Sequence, residues 1–448
     1  MQDRHDLTQG PVWGKLFSFF LPIAVGAIVQ QLYSTVDALI VGKYCGTESL
    51  AAISGSVTQI LNLMVGAFIA LTGGASVYIA QLYGIRDEEK IRRAVSTSMT
   101  FCASLGILIS ILGNLLAGPI LRLLGTPKDT IVEAELYLRY CFTAAFAVML
   151  YNMGAGIIRA AGDSTRPFVY LCACCFTNII LDYVLVKVYG MGVRGAAAAT
   201  AFSQVISFIL VLIRMLTADE YYRLRFSGDF FSGAAIRATV RYGFPSAIQQ
   251  VIYGITNTTI QMGINSLGTY VVAAWALTGK VDGIYWAIVN AGGVAVMNFV
   301  GQNYGAGKLD RVKEAVKTGL RNFMIFTVAI CIVLIAAGSF LFPLFLPDNE
   351  EVCRLAYRIM LYFVIPYFLW TFIEILSGVL KGCGDVIMPA VISLIGIAGV
   401  RFIWVKTAFV KYHNVYVLAL AYAVSWLVTA AALIVRYKRG KWKKKREL

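Results

Sequence analysis

Apolar residues run in long, nearly unbroken stretches from residue 16 to residue 436, separated by short polar segments. None of these stretches alternates apolar and polar residues as a barrel strand does. A helix needs about 20 apolar residues to cross the hydrocarbon layer, where every backbone polar group must be hydrogen-bonded within the protein. The pattern therefore predicts an all-α polytopic membrane protein with twelve transmembrane helices, near residues 16–41, 50–82, 94–117, 134–158, 167–187, 193–214, 241–266, 270–300, 318–342, 355–380, 388–410 and 415–436.

The composition agrees with a protein embedded in a lipid bilayer. Of the 448 residues, 59% are hydrophobic and only 14% charged, whereas soluble domains are about 45–50% apolar and about 25% charged. The first apolar stretch is too long for a signal-peptide core, so we expect it to remain as a span. The nine cysteines lie mostly in apolar segments, and the only histidines, His5 and His413, lie outside the predicted spans. We therefore expect neither a zinc site nor a cofactor.

The Lys and Arg residues are distributed unequally between the two sides of the membrane. With the N-terminus inside, 27 of the 39 fall in inner connections and termini and nine on the opposite side. The positive-inside rule then predicts cytoplasmic termini for a multi-pass protein of the bacterial inner (plasma) membrane. The basic tail 438–446 directly follows the last span, which favours contact with anionic lipid headgroups over nucleic-acid binding.

The two halves of the chain resemble each other at an offset of 221 to 223 residues. Three segments recur in order: Ala80–Gly84 as Gly301–Gly305, Arg159–Asp163 as Lys381–Asp385, and Pro22 as Pro245. The chain is therefore predicted to form two pseudo-symmetric six-helix bundles, at residues 1–218 and 237–448, joined by a cytoplasmic linker at 219–236. Repeats of six spans insert the same way up, and such repeats place the substrate path at their interface and move by rocking. This organisation favours a transporter.

Four acidic residues lie well inside predicted spans. A charge at the bilayer centre costs at least about 2.5–3.5 kcal/mol, so such residues are functional candidates. They are Asp37 on the first span, Asp182 on the fifth, Asp282 on the eighth and Glu374 on the tenth.

The N-terminal half carries the residues for an all-oxygen pocket. Asn178 and Asp182 are four residues apart and share a helix face, as do Gln30, Tyr33 and Asp37 on the first span. Thr200 lies among the small residues Gly195–Ala199 of the sixth span, which permit close helix approach. If Asp37, Asn178, Asp182 and Thr200 meet, they form a pocket that can bind a proton or hold Na⁺. The alternative is a polar network that only locks the helices together.

The C-terminal half offers a less definite set of polar residues. Glu374 either pairs with Arg401 on the next span or belongs to a substrate-cation site, and Asp282 is a candidate for a cavity. Amide, aromatic and Met side chains of this half suit a polyspecific cavity, although each alone is more often helix packing: Gln249, Gln250, Tyr253, Asn257, Met262, Asn290, Met297 and Asn298.

These motifs together resemble the multidrug and toxic compound extrusion (MATE) family over essentially the entire chain. They are Leu21–Pro22 through Asp37 and Gly42, Gln81–Gly84, Arg159–Pro167, Asn178 to Asp182, and Val300–Gly307. The resemblance implies a non-enzymatic efflux antiporter, expected to be a monomer, that needs no cofactor. It would exchange inward H⁺ or Na⁺ for outward small organic cations or amphipathic compounds.

The resemblance also implies roles for individual residues. Asp37, Asn178, Asp182 and Thr200 match the family's cation or proton site, and Pro22 matches a first-span proline where a bend accompanies coupling. The substrate-cavity candidates are Gln30, Tyr33, Gln250, Tyr253, Asn257, Asp282, Met297 and Glu374. The seventh span offers only Gln249 and Gln250 where some members carry a carboxylate, which favours coupling in the N-terminal half.

Two rival functions are weaker on the sequence. A flippase for lipid-linked oligosaccharides would carry several basic residues for phosphate in its cavity, whereas only Arg139, Lys280 and Arg401 lie within predicted spans. An integral-membrane transferase would need clustered carboxylates for Mg²⁺ or an intramembrane His, and the sequence has neither.

Overall fold

The computed structural model describes residues 6–225, 231–347 and 349–443, so His5, the end of the basic tail and part of the predicted linker lie outside the described residues. All regular secondary structure in these ranges is helical. The main helices are α1 (Val12–Cys45), α2 (Ile53–Ile85), α3 (Glu88–Leu123), α4 (Ile131–Thr143 and Ala145–Ala160), α5 (Thr165–Val188), α6 (Gly192–Thr217), α7 (Gly233–Asn265), α8 (Thr269–Gly305), α9 (Leu309–Phe345), α10 (Glu350–Val364 and Tyr367–Gly382), α11 (Ile387–Tyr412) and α12 (Val415–Lys438).

These helices correspond one to one with the predicted spans. Within the described ranges, nine are long and apolar enough to cross a bilayer, and the bent pairs in α4 and α10 raise the number to eleven. The twelfth, α7, has 33 residues and carries more polar side chains. The prediction of an all-helical fold with twelve spans is confirmed.

Several helices are interrupted inside the membrane region. The two parts of α4 meet at 44° and those of α10 at 46°. In α2, Gly55 has a non-helical backbone conformation. The segments Tyr183–Val188 in α5 and Leu394–Gly399 and Val405–Phe409 in α11 are π-helical. Such turns shift the side-chain register and are frequent at functional sites.

One compact unit contains residues up to Leu7 and Leu21–Ala247. Here α5 and α6 pack closely, because Ala196, Ala197 and Ala199 are fully buried and Gly195 faces the backbone of Leu185. The expected close approach at these small residues is therefore present. An apolar cluster that includes Val41, Leu121, Tyr137, Leu138, Val186 and Val193 packs the α1, α3, α4, α5 and α6 segments together.

The segment after α6 folds back onto this same unit. Glu220 forms ion pairs with Arg166 at the start of α5 and Arg214 at the end of α6. Beyond it, the Ser96 hydroxyl donates to the Arg225 carbonyl at 3.0 Å. These contacts tie the described part of the predicted linker to the ends of α3, α5 and α6.

The second unit contains Thr8–Phe20 and Ile248–Leu448. The start of the chain is held there by Lys308, whose ammonium donates to the Thr8 carbonyl at 2.8 Å, and by Arg311, which donates to the Gly10 carbonyl at 2.7 Å. At the end of α12, Arg436 forms a buried ion pair with Asp385 at 2.7 Å.

Candidate functional site

The two predicted carboxylates of the N-terminal half meet. Asp182, at the point where α5 becomes π-helical, is completely buried, and its carboxyl group interacts directly with that of Asp37 on α1. Two ionised carboxylates at this range repel each other. A proton or another cation bound between them would relieve this repulsion.

Asn178 and Thr200 complete the predicted set. Asn178 is fully buried one helical turn before Asp182, and its side-chain amide donates to the Thr200 hydroxyl at 3.5 Å. On the other side of Thr200, the Tyr137 hydroxyl lies 3.4 Å away. The structure thus brings all four predicted residues into one pocket, between α1, α4, α5 and α6.

The pocket has more hydrogen-bond acceptors than donors. Four of its oxygens are buried without a hydrogen-bond partner: Oδ1 of Asp37, Oδ1 of Asn178 and both Oδ atoms of Asp182. A buried acceptor without a partner costs about 1–3 kcal/mol, and more if it carries charge. Carboxylate and amide oxygens arranged in this way can bind a proton or a hard cation such as Na⁺.

Two tyrosines border the carboxylates. Tyr33, one turn before Asp37 on α1, interacts electrostatically with it and with Cys174 on α5. Tyr137 on α4 interacts with Asp37 as well as with Thr200. Sequence reasoning missed Tyr137, because a single tyrosine in an apolar span gives no signal of its own.

Other predicted residues of α1 lie apart from this pocket. Gln30 is exposed, and Pro22 lies fifteen residues before Asp37 inside a continuous helix. The boundary between the two compact units falls between Phe20 and Leu21, directly before this proline.

In the C-terminal unit, Asp282 lies inside a cluster of aromatic rings. Its Oδ2 accepts hydrogen bonds from the Tyr367 hydroxyl at 2.9 Å and from the Trp286 indole N–H at 3.1 Å. Around it, Tyr285 stacks on Tyr367 at 3.8 Å, and Trp370 packs on Trp286 at 5.0 Å. This carboxylate is buried and hydrogen-bonded on one oxygen, as a cavity residue would be.

Glu374 does not pair with Arg401, which was one of the two predicted alternatives. In the described part of the chain Arg401 contacts Asn257, Ser425 and Tyr422 instead. Glu374 faces Gly293 of α8, and its charged neighbour is Lys381 on its own helix. The π-helical segment Leu394–Gly399 lies directly before the helical turn that carries Arg401.

The remaining predicted cavity residues are dispersed. Gln250 and Asn257 are exposed on α7, and Met297 is half-buried on α8. Tyr253 is half-buried on α7, and its hydroxyl accepts a hydrogen bond from the Gln249 amide at 2.8 Å. Asn257 accepts a hydrogen bond from the buried guanidinium of Arg401.

Comparison with protein families and with relatives agrees with this arrangement. The MatE family model matches the chain twice, at residues 22–184 and 245–405, in keeping with the internal repeat. The chain is 28% identical to the probable multidrug resistance protein YoeA of Bacillus subtilis, over 97% of this chain and 95% of that protein. It is 25% identical to a FAD transporter of Shewanella oneidensis, over 80% of each protein.

Solved structures share the fold. An outward-facing multidrug resistance MATE transporter superposes with a TM-score of 0.88 over 98% of both chains, at 21% identity. A MATE structure in the straight conformation gives a TM-score of 0.86 over 97% of both chains, at 22% identity. The two matches to the family model together cover well over half of the residues of this chain. The protein is a multi-pass membrane transporter that belongs to the MATE family of multidrug efflux proteins.

Proposed function

We propose that this protein is a cation-coupled antiporter that exports organic compounds in exchange for inward H⁺ or Na⁺. Asp37, Asn178, Asp182 and Thr200 form its coupling site. The observation that carries the proposal is the set of four buried acceptor oxygens without partners, two of them on one fully buried carboxylate.

The coupling follows from the electrostatics of the pocket. With a positive ion bound, the mutual repulsion of Asp37 and Asp182 is neutralised and the orphaned oxygens gain a partner. When the ion leaves, the repulsion returns. The ion-loaded and ion-free pockets therefore stabilise different packings of α1 against α5. Rocking of the two repeats then exposes the site alternately to the two sides of the membrane.

The proposed substrates are cationic or amphipathic organic molecules. Multidrug resistance proteins among the relatives support efflux of small molecules over the flippase alternative. In the C-terminal unit, a carboxylate ringed by Tyr and Trp side chains, Asp282, suits an organic cation, because aromatic faces attract positive charge. The resemblance to a FAD transporter extends the range to larger aromatic compounds.

The orientation and assembly belong to the same proposal. The excess of Lys and Arg in the inner connections supports cytoplasmic termini in a bacterial inner membrane. We propose that the protein works as a monomer.

The test is ethidium transport by proteoliposomes under an imposed gradient of pH or Na⁺. Wild-type protein should transport ethidium under one of the two gradients, which also identifies the coupling ion. Asp37→Asn should insert and fold normally yet lose gradient-driven transport, because the amide cannot exchange a proton and the repulsion between two carboxylates is permanently removed.

Asp310→Asn is the matched control, since the Asp310 side chain is exposed on the surface, where it forms an ion pair with Lys313. This control should transport ethidium at the wild-type rate. Undiminished gradient-driven transport by Asp37→Asn would remove the coupling role from this pocket.

A further inference from the structure

A single buried cation lies near the middle of α11. Arg401 is 5% exposed, and it occupies the short α-helical turn Val400–Trp404 between the two π-helical segments of this helix. A charge at such a depth is costly unless it has partners, and it is usually functional.

The partners of Arg401 are all neutral. Its Nε donates to the Ser425 hydroxyl at 3.2 Å, and one Nη donates to the Asn257 side-chain oxygen at 3.2 Å. The guanidinium carbon lies 3.8 Å from the centre of the Tyr422 ring. Within the described ranges no carboxylate lies within ion-pairing distance of this guanidinium. Two of its five N–H groups are thus used, and its positive charge is not balanced.

Two donors without acceptors lie in the aromatic cluster that adjoins Tyr422. The indole N–H groups of Trp370 and Trp426 are buried and make no hydrogen bond. Trp426 packs against Tyr422, with ring centres 5.7 Å apart, and Trp370 packs against Trp426 at 5.8 Å. These two N–H groups lack acceptors, whereas in the Asp37 pocket acceptors lack donors.

The internal repeat places the two pockets at corresponding positions. At the offset of 222 residues, Tyr422 corresponds to Thr200, and Arg401 corresponds to Ile179, next to Asn178. Asn257 on α7 corresponds to Ser34 on α1 at the offset of 223. The helices α7, α11 and α12 thus repeat α1, α5 and α6, but the carboxylates are not repeated: Asp37 corresponds to Ile260 and Asp182 to Trp404.

We propose that Arg401 binds the carboxylate group of an aromatic substrate in the C-terminal unit. A guanidinium presents two parallel N–H groups to a carboxylate, and the rings of Tyr422 and Tyr253, both within electrostatic range of Arg401, flank the aromatic body. Asn257 is exposed and gives access to the buried charge. This inference deepens the proposed function by adding organic anions and zwitterions to its cargo.

The experiment is calorimetric titration of the purified full-length protein in lipid nanodiscs with two matched probes, 2-naphthoate and its neutral analogue 2-naphthamide. Wild-type protein should bind naphthoate at least about tenfold more tightly, the advantage of a charge-assisted bidentate contact. Arg401→Gln should reduce this ratio to about one. Arg401→Lys keeps the charge but loses the two parallel N–H groups of the guanidinium, so it should give an intermediate ratio.

Lys406→Gln is the control, because Lys406 is an exposed cation on the same helix and should leave the ratio unchanged. A wild-type ratio near one, or a ratio that survives in folded Arg401→Gln, would overturn the proposal. The readout is equilibrium binding without a gradient, so it is independent of coupling. Asp37→Asn should keep the preference for naphthoate over naphthamide while it loses gradient-driven ethidium transport. If the preference were lost in Asp37→Asn but kept in Arg401→Gln, the carboxylate would bind away from Arg401 and the proposal would be refuted.

Discussion

At the scale of single residues, the carboxylates of the Asp37 pocket are expected to lower the stability of the folded protein. Burying a carboxylate without a compensating charge costs several kcal/mol. Asp182 is fully buried, and neither of its carboxyl oxygens has a hydrogen-bond donor. Functional sites commonly retain such unfavourable groups, and replacing them commonly stabilises a protein while impairing its activity. A polar network that merely locks helices together would instead satisfy its own oxygens.

Asp182→Asn should therefore raise the stability of the protein while it abolishes coupled transport. The expected gain is about 1–3 kcal/mol, because the amide carries no charge and supplies two donors to a pocket that lacks them. In Na⁺-free buffer the gain should grow as the pH is raised, since fewer protons are then available to neutralise the wild-type pair. Thermal unfolding of the purified protein in detergent measures it.

Asp310→Asn again provides the control, because an exposed carboxylate should leave the unfolding temperature almost unchanged. A clear loss of stability in Asp182→Asn would show that Asp182 belongs to a satisfied structural network.

The sequence predicted the charged residues of this pocket but not all of the residues that surround them. Asp37 and Asp182 stand out because acids are rare in apolar spans, and the four-residue spacing correctly placed Asn178 beside Asp182. Tyr137 could not be found in this way, since tyrosine is common in spans and its contact with Thr200 depends on how α4 packs against α6. The partners of Arg401 were likewise hidden, because they depend on how α7 and α12 pack against α11.

At the scale of helices, the lengths of the apolar stretches predicted the number and positions of the spans well but the ends of the helices poorly. The third span was predicted at 94–117, whereas α3 runs from Glu88 to Leu123 and is capped by Asp87, whose carboxylate accepts from the Lys90 N–H. The apolar pattern reports only the part of a helix inside hydrocarbon, while capping side chains set its true end. The π-helical turns give no compositional signal, because they change the register without changing polarity.

The ends of α5 and α6 are joined by the ion pairs of Glu220 with Arg166 and Arg214. The contribution of these ion pairs to stability can be tested by its dependence on pH. Burial alone would raise the pKa of Glu220, but the guanidinium of Arg214, assisted by Arg166, outweighs it and holds this pKa below its usual range. A carboxyl group with a lower pKa in the folded state stabilises that state above its unfolded pKa of about 4.3. The stabilisation is lost as the pH falls through the lower, folded value.

Glu220→Gln should thus lower the free energy of unfolding by about 0.5–1 kcal/mol at pH 7, a modest amount because the pair is partly exposed. The difference from wild type should disappear as the pH is lowered below about 4. Glu314→Gln, at an exposed position on α9, should show no such pH-dependent difference. A constant difference between pH 3.5 and pH 7 would assign the effect to packing of the side chain rather than to its charge.

At the scale of the whole molecule, duplication accounts for both the symmetry and its breaking. The repeat was visible in the sequence from three motif pairs, and the family model matches each half separately. The difference between the two polar pockets was not predicted, because the contacts of Arg401 with Asn257, Ser425 and Tyr422 depend on how α7, α11 and α12 pack. The Asp37 pocket thus holds four buried oxygens without a hydrogen-bond partner, and the aromatic cluster near Arg401 holds two buried indole N–H groups without an acceptor.

The central claim is that an ion bound at Asp37 and Asp182 is exchanged for substrate. The most direct measurement is ion release when ethidium is added to the purified protein in weakly buffered solution, followed with a pH indicator for H⁺ and an ion-selective electrode for Na⁺. We expect wild-type protein to release one of these ions on saturation with ethidium, and Asp37→Asn to bind ethidium and release neither. Equal ion release by wild-type protein and Asp37→Asn would contradict the account.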